Sequence, residues 1–146
     1  MKDTLDSMKR LDAMGISWLG WEYKTYVRKT GYGDGLFDEK TGKMRPPMAK
    51  MYSRPYARAI AGTFQNMTYD DTTGVFVLKW ISDENAPEDA TTEVYLGTQY
   101  HYSKGYQILV TPTLAHSYWV NGNILHISTK IRTMSETHVL TVKPAQ

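Results

Sequence analysis

The chain has 146 residues, 41% of them hydrophobic and 22% charged, with a formal net charge of +2. This composition is typical of one globular domain, or of a small domain with part of another, and it excludes disordered and collagen-like chains. The near balance of charge gives no electrostatic case for nucleic acid, and the lack of cysteine excludes disulfides and thiolate zinc sites.

The N-terminal residues predict a helix followed by a strand. Apolar side chains recur at every third position over residues 3–14, namely Leu5, Met8, Leu11 and Met14. This spacing keeps them on one helical stripe, and Gly15 is expected to end the helix. Residues 16–23 are apolar almost throughout, which predicts a strand buried on both faces. A helix followed by such a strand is typical of an α/β barrel.

Residues 31–45 are rich in glycine and charge and predict a loop. Pro47 is placed to open a short helix, and Pro55 interrupts it before a second helical stretch at 57–61. No apolar run is long enough to span a membrane, and the charged N-terminus is unlike a signal peptide. We therefore expect neither a transmembrane segment nor a leader on this chain.

From Gly62 onward the apolar residues alternate with polar ones, as in strands that are half buried. Turn residues at 71–74 and at Asn121-Gly122 separate the alternating runs. The predicted strands lie near 63–69, 75–81, 92–97, 106–111, 116–120, 124–129 and 138–142. Their number and spacing predict a mainly β chain, with an antiparallel β-sandwich of seven to eight strands from residue 62 to residue 146.

Few residues suggest catalytic or metal chemistry. The four histidines, His101, His116, His126 and His138, have no metal-ligand spacing, so packing or surface roles are favoured and we expect no metal or cofactor. Residues 18–24 are the remaining candidates for a functional site. If they end a barrel strand, their side chains reach the active-site face, because that face lies at the C-terminal ends of barrel strands. From spacing alone, Trp18 and Trp21 are as consistent with a role in the core as with a role at the active-site face.

Three segments carry a family resemblance. They are ISWLGWEYK at 16–24, RPYARAIAG at 54–62, and the run 64–76 with its YDDTTG turn. These segments resemble the C-terminal part of the endoglycosylceramidases, which are retaining glycosidases of glycoside hydrolase family 5. The later run 92–96, with Tyr102, the pair Gly105-Tyr106 and the run 108–110, resembles the C-terminal β-sandwich of that family.

The resemblance implies a TIM barrel followed by a sandwich. Residues 1–61 would then be the C-terminal slice of the barrel, with its seventh helix at 3–14, its eighth strand at 16–23 and a helical closure at 47–61. The acid/base and nucleophile glutamates of the family lie on the fourth and seventh strands, so this chain supplies no catalytic residue. Glu22 matches neither glutamate. We therefore expect the chain alone to be inactive.

By the same resemblance, Trp21, Tyr23 and Lys24 are expected to bind substrate, with Trp21 forming the floor under the sugar beside the cleaved bond. Trp18 is expected to pack. The implied partner of the full-length enzyme is a glycosphingolipid or its oligosaccharide, in contact with a glycolipid or membrane surface and in a secreted or lysosomal setting. The alternative hypothesis is a stand-alone sandwich that binds carbohydrate or glycolipid without cutting it.

Overall fold

A computed structural model describes residues 2–20, 23, 35–113, 116–130 and 136–145 of the chain. The described helices are α1 (Lys2–Ala13), α2 (Pro46–Tyr52) and α3 (Thr98–His101). The described strands are β1 (Tyr56–Ala59), β2 (Gly62–Tyr69), β3 (Phe76–Ser82), β4 (Thr91–Tyr95), β5 (Tyr106–Thr111), β6 (His116–Asn121), β7 (Ile124–Thr129) and β8 (Thr137–Pro144). Strands therefore dominate the fold.

The strands form two four-stranded sheets. The first sheet has the order β1-β4-β7-β6, the second has the order β2-β3-β8-β5, and neighbouring strands are antiparallel. Alternate side chains of both sheets point inward and form one apolar core, whose fully buried members include Phe76, Leu78, Trp80, Val94, Leu125, Ile127 and Leu140. The predicted antiparallel β-sandwich is confirmed, with eight strands.

Strand β1 was not predicted. The expected helical stretch at 57–61 is wrong, because Tyr56–Ala59 lies in the first sheet, with Ala57 opposite Val94 of β4. Alanine favours helices, but pairing along the open edge of β4 outweighs that local preference. The Ala61 N–H also donates to the Thr92 hydroxyl at 3.1 Å. The sandwich thus includes a strand on the N-terminal side of residue 62.

Helix α1 ends as the glycine predicts. Gly15 has a φ of +67°, its N–H donates to the Asp12 carbonyl, and the Ile16 N–H donates to the Leu11 carbonyl. These two bonds form the Schellman motif, which needs a left-handed residue after the helix. The buried stripe differs from the expected one, because Met8 and Asp12 are buried and Met14 is exposed.

The predicted strand at 16–23 is not formed by the residues described there. Residues 16–20 have no regular secondary structure, Leu19 is fully exposed, and residues 21–22 lie outside the described part of the chain. A doubly buried strand needs neighbouring strands and covering layers, and no described strand pairs with residues 16–20. None of the described helices is both long and apolar enough to cross a membrane.

A tryptophan and two histidines fill one end of the core. His138 is fully buried, with its ring stacked on Trp80 at 5.4 Å and edge-on to His116 at 4.8 Å. The His116 Nδ1–H donates to the Pro112 carbonyl at 2.7 Å. Neither ring nitrogen of His138 has a hydrogen-bond partner among the described residues. Burial therefore lowers the pKa of both imidazoles, the nearby His116 lowers that of His138 further, and the charge of Glu136 partly opposes both shifts.

These lowered pKa values predict a loss of stability in acid. The unfolded chain binds a proton on each histidine near pH 6.5, whereas the folded chain does so only at lower pH. The free energy of unfolding should therefore fall as the pH drops below about 6.5, by up to about 1.4 kcal/mol per pH unit for each histidine. Urea unfolding of the wild type and of a His138→Leu variant at about pH 7.5 and 5 tests this. An unchanged acid loss in the variant would contradict it.

Candidate functional site

An aromatic groove lies where the N-terminal segment meets the sandwich. The groove has a volume of about 720 Å³, and its walls include Met14, Ile16, Trp18, Tyr52, Tyr56 and Phe64. Helix α1 and the residues after it form one side, whereas α2, β1 and β2 form the other. A Cβ atom added to Gly15 would lie 2.9 Å from the Phe64 ring, so the backbone approaches β2 closely at this point.

Trp18 is anchored in the groove by a polar contact. Its indole N–H donates to the Asp12 carboxylate at 3.1 Å, and its ring centroid lies 6.3 Å from that of Tyr52. The residue is half-buried. Trp18 therefore packs, as expected, and its orientation is set by the buried Asp12 carboxylate, a contact that the sequence pattern does not reveal.

The structure describes only one of the three predicted substrate-binding residues, Tyr23. The Tyr23 side chain is exposed, its ring lies 4.9 Å from that of Phe37, and its carbonyl accepts the Phe37 N–H at 3.1 Å. Trp21 and Lys24 lie outside the described residues, as does Glu22. The grouping of Trp21, Tyr23 and Lys24 into one site therefore stays a prediction.

The groove depends on a buried guanidinium. Arg54 lies between α2 and β1 and is 2% exposed, and its Nη2 lies 3.2 Å from Asp12 of α1. Its Nε lies 3.5 Å from Asp71, in the turn between β2 and β3. Nη2 also donates to the Tyr69 carbonyl at 3.3 Å, and the guanidinium carbon lies 5.4 Å from the Tyr69 ring centre. One cation thus joins three separate parts of the chain.

The surroundings of the Asp12 carboxyl have opposing effects on its pKa. Burial raises its pKa, whereas the Trp18 hydrogen bond and the charge of Arg54 lower it, and the neighbouring Asp71 raises it slightly. Asp71 is shared, because Lys9 of α1 also lies 3.2 Å from its second oxygen. The two acids therefore act as counter-ions to Arg54 and Lys9.

A second chain of hydrogen bonds fixes the other side of Arg54. The Tyr69 hydroxyl donates to His101 Nδ1 at 2.7 Å, and His101 Nε2–H donates to the Lys50 carbonyl at 2.9 Å. Burial raises the pKa of Tyr69 to about 12 and lowers that of His101. Both groups are thus held neutral, in the tautomer that these bonds require.

This arrangement supports binding rather than bond cleavage. The aromatic walls suit an apolar or stacking ligand, and the acids beside them are already paired with cations. Among the described residues, no three histidine, aspartate or glutamate side chains gather as a metal site would require.

The links of Arg54 to Asp12 and of His101 to Tyr69 were not predicted from the sequence. One signal was available: Asp12 follows Met8 by four positions and therefore lies on the same helical stripe. An acid on a buried stripe needs a basic partner, but the pattern alone does not identify which base it meets.

Replacing Arg54 by Met should lower the free energy of unfolding by about 3–5 kcal/mol, because Asp12 would be left buried without its counter-ion. The Arg54→Met/Asp12→Leu double variant should lose less than the sum of the two single changes. As a control, Arg45→Met removes a more exposed partner, 3.5 Å from Asp38, and should lower the stability much less than Arg54→Met does. Urea unfolding of the wild type, the Arg54→Met and Asp12→Leu single variants, the double variant and Arg45→Met measures these free energies. Strict additivity in the double variant would contradict the coupling.

Comparison with known proteins gives the family. The model of the glycoside hydrolase family 5 C-terminal domain matches residues 54–142. An endoglycoceramidase from Cyanea nozakii is 32% identical over 116 residues, which cover 77% of this chain and 23% of that protein. An endoglycoceramidase from Hydra vulgaris is 31% identical over 112 residues, covering 77% of this chain and 20% of that protein. The chain spans about a quarter of the length of these relatives.

Solved structures share the fold. Cryptococcus neoformans sterylglucosidase 1 matches 98% of this chain and 24% of its own, with a TM-score of 0.76 and 20% identity. Endo-glycoceramidase II from Rhodococcus sp. matches 100% of this chain and 31% of its own, with a TM-score of 0.63 and 17% identity. At these identities the structures show only the architecture, whereas the family match covers residues 54–142, which include strands β1 to β7 and most of β8. The chain therefore belongs to the glycoside hydrolase family 5 C-terminal domain family.

Proposed function

We propose that this chain is the C-terminal part of a retaining glycosidase that hydrolyses the bond between glycan and ceramide in glycosphingolipids. The observation that carries the proposal is the 32% identity to an endoglycoceramidase over 77% of the chain. The family match over residues 54–142 supports the same role for the sandwich. The glycan headgroup and the membrane that displays it are the partners of the longer enzyme.

The placement of acids in the described part of the chain agrees with a supporting role. Retaining hydrolysis uses two carboxyl groups about 5 Å apart, one as nucleophile and one as acid/base. Asp12 and Asp71 approach each other, but the Arg54 guanidinium is bound to both. We therefore assign the catalytic pair to a part of the enzyme outside this chain.

We also propose two structural units. Residues up to about 53 belong with the barrel, and the sandwich begins at Arg54 rather than at residue 62. The pairing of β1 with β4 supports this limit, as does the start of the family match at residue 54. Arg54 is then the first residue of the sandwich and binds the last turn of α1.

The chain alone should release no ceramide from fluorescent lactosylceramide, whereas a full-length enzyme that carries it should do so. Thin-layer chromatography of the products distinguishes the two. The control is a Glu22→Gln variant of the chain. Turnover by the chain that disappears in this variant would make Glu22 catalytic and would overturn the assignment of the catalytic pair to another part of the enzyme.

Within that longer enzyme we propose that Trp21, Tyr23 and Lys24 bind substrate, with Trp21 beneath the sugar beside the cleaved bond. The indole face suits the C–H face of a pyranose. Support comes from the position of Tyr23, which is exposed and lies just beyond the groove segment. The bond from the Trp18 indole N–H to Asp12 fixes the orientation of that ring and supports a packing role for Trp18.

Trp21→Ala in the full-length enzyme should lower kcat/KM about tenfold or more, the scale of one lost transition-state contact. Trp18→Ala should instead lower stability by about 1–3 kcal/mol, because Asp12 loses a hydrogen bond and Tyr52 loses a neighbouring ring. Steady-state kinetics and thermal unfolding of both variants separate the effects. Normal kinetics with reduced stability in Trp21→Ala would contradict the assignment.

A further inference from the structure

We propose that the outer face of the first sheet binds a neutral oligosaccharide, at a site that contains no catalytic group. The site is a row of four side chains, Arg58, Glu93, His126 and Trp119, which crosses the sheet from β1 to β6. We call these residues the outer row. The inference does not depend on the proposed function, because it concerns binding by the sandwich itself.

The register of the sheet brings the outer row together. Trp119 lies opposite His126, and His126 lies opposite Glu93. The pairing of β1 with β4 shifts between Ala57 and Ala59, and Arg58 comes within 3.7 Å of Glu93. Neighbouring strands are about 4.8 Å apart, so the row is about 14 Å long. It is therefore long enough to contact more than one sugar ring.

The row faces away from the core. Val94, Leu125 and Ile127, which alternate with the outer row along β4 and β7, are fully buried in the sandwich. Side chains of a strand alternate between the two faces of the sheet. Glu93 and His126 must therefore point outward, and Trp119 points with them because it pairs with His126.

Trp119 is held as a rigid platform. Its ring lies 5.0 Å from that of His126, with only 5° between the two planes. One indole face is thus covered by imidazole, whereas 49% of the residue stays exposed. A fixed aromatic face open to solvent loses little entropy on binding, and such a face stacks well on the apolar face of a pyranose.

The polar members of the row are available to hydroxyl groups. The two Glu93 oxygens lie 3.6 Å from His126 and 3.7 Å from Arg58, too far for strong hydrogen bonds. Arg58 is about half exposed. A carboxylate and a guanidinium side by side offer two acceptors and several donors, which matches vicinal sugar hydroxyls. Their charges cancel, so a neutral glycan fits better than an anionic one.

On one side of the outer row the neighbouring side chains are small and leave room for a ligand. Ser117 and Ser128 pair with each other beside the outer row, and Thr91 continues that line on β4. These small side chains do not rise above the indole. Trp119 lies at the end of the row that is far from the groove, because it is on β6, the edge strand opposite β1, whereas α1 packs on β2.

The experiment is a titration of the 146-residue chain, with nitrogen-15 labelled tryptophan, against lactose, cellotriose and maltotriose. A Trp119→Phe variant identifies the indole N–H signal of Trp119. We expect at least one sugar to shift this signal saturably, with a Kd of about 0.1–10 mM. Trp119→Ala and Glu93→Gln, followed by calorimetry with that sugar, should weaken binding about tenfold or more, the scale of one lost contact.

Tyr118→Ala is the matched control. Tyr118 is the adjacent aromatic residue on β6, equally exposed, but it points to the other side of the strand. It should change sugar affinity less than about twofold. No saturable shift with any of the three sugars would overturn the proposal, as would equal losses in Tyr118→Ala and Trp119→Ala. Dimerisation in sedimentation that Trp119→Ala abolishes would overturn it too, since the face would then be a protein contact.

Discussion

The ion pair between Arg54 and Asp12 holds α1 against the sandwich. A buried guanidinium must be matched by nearby acceptors, and here they come from α1, from the β2–β3 turn and from the Tyr69 carbonyl. Asp12 then fixes Trp18, and Trp18 reaches Tyr52. Asp12 lines the groove and so links the ion pair to its aromatic wall, and the Lys9–Asp71 pair adds a second charged contact between α1 and the β2–β3 turn.

The sandwich was predictable from the sequence because each strand buries one face, and burial of one face produces an alternating pattern. Strand β1 was not predictable, because its YARA sequence has no such alternation and only the edge of β4 makes it extended. The predicted strand at 16–23 failed in the opposite direction, since residues 16–20 form no strand. Their apolar run has the composition of a buried strand, but burial depends on neighbours that a local pattern does not contain. Similarly, the place of Asp12 on a buried helical stripe indicates that it needs a basic partner. The local pattern does not identify that partner as Arg54, which lies 42 positions away.

The groove and the outer row use the same residue types in opposite ways. Arg54 is buried and has two carboxylates and a carbonyl around it, whereas Arg58 is half exposed with one distant carboxylate. Trp18 donates its N–H to Asp12 and is fixed by that bond, whereas Trp119 is fixed by stacking on His126. Buried polar groups that have found partners stabilise a fold, whereas loosely partnered groups at the surface keep their capacity for a ligand.

The two edges of the sandwich have different surroundings, which allows both roles in one domain. Helix α1 lies against β2, and the groove is lined by residues of β1, so the N-terminal segment occupies the β1–β2 edge. The opposite edge of the first sheet is β6, which carries Trp119. A sugar stacked on Trp119 would therefore lie at the edge of this sheet that is away from α1. Since the two sheets share one buried core, the β6 edge and the β1–β2 edge belong to the same packed body.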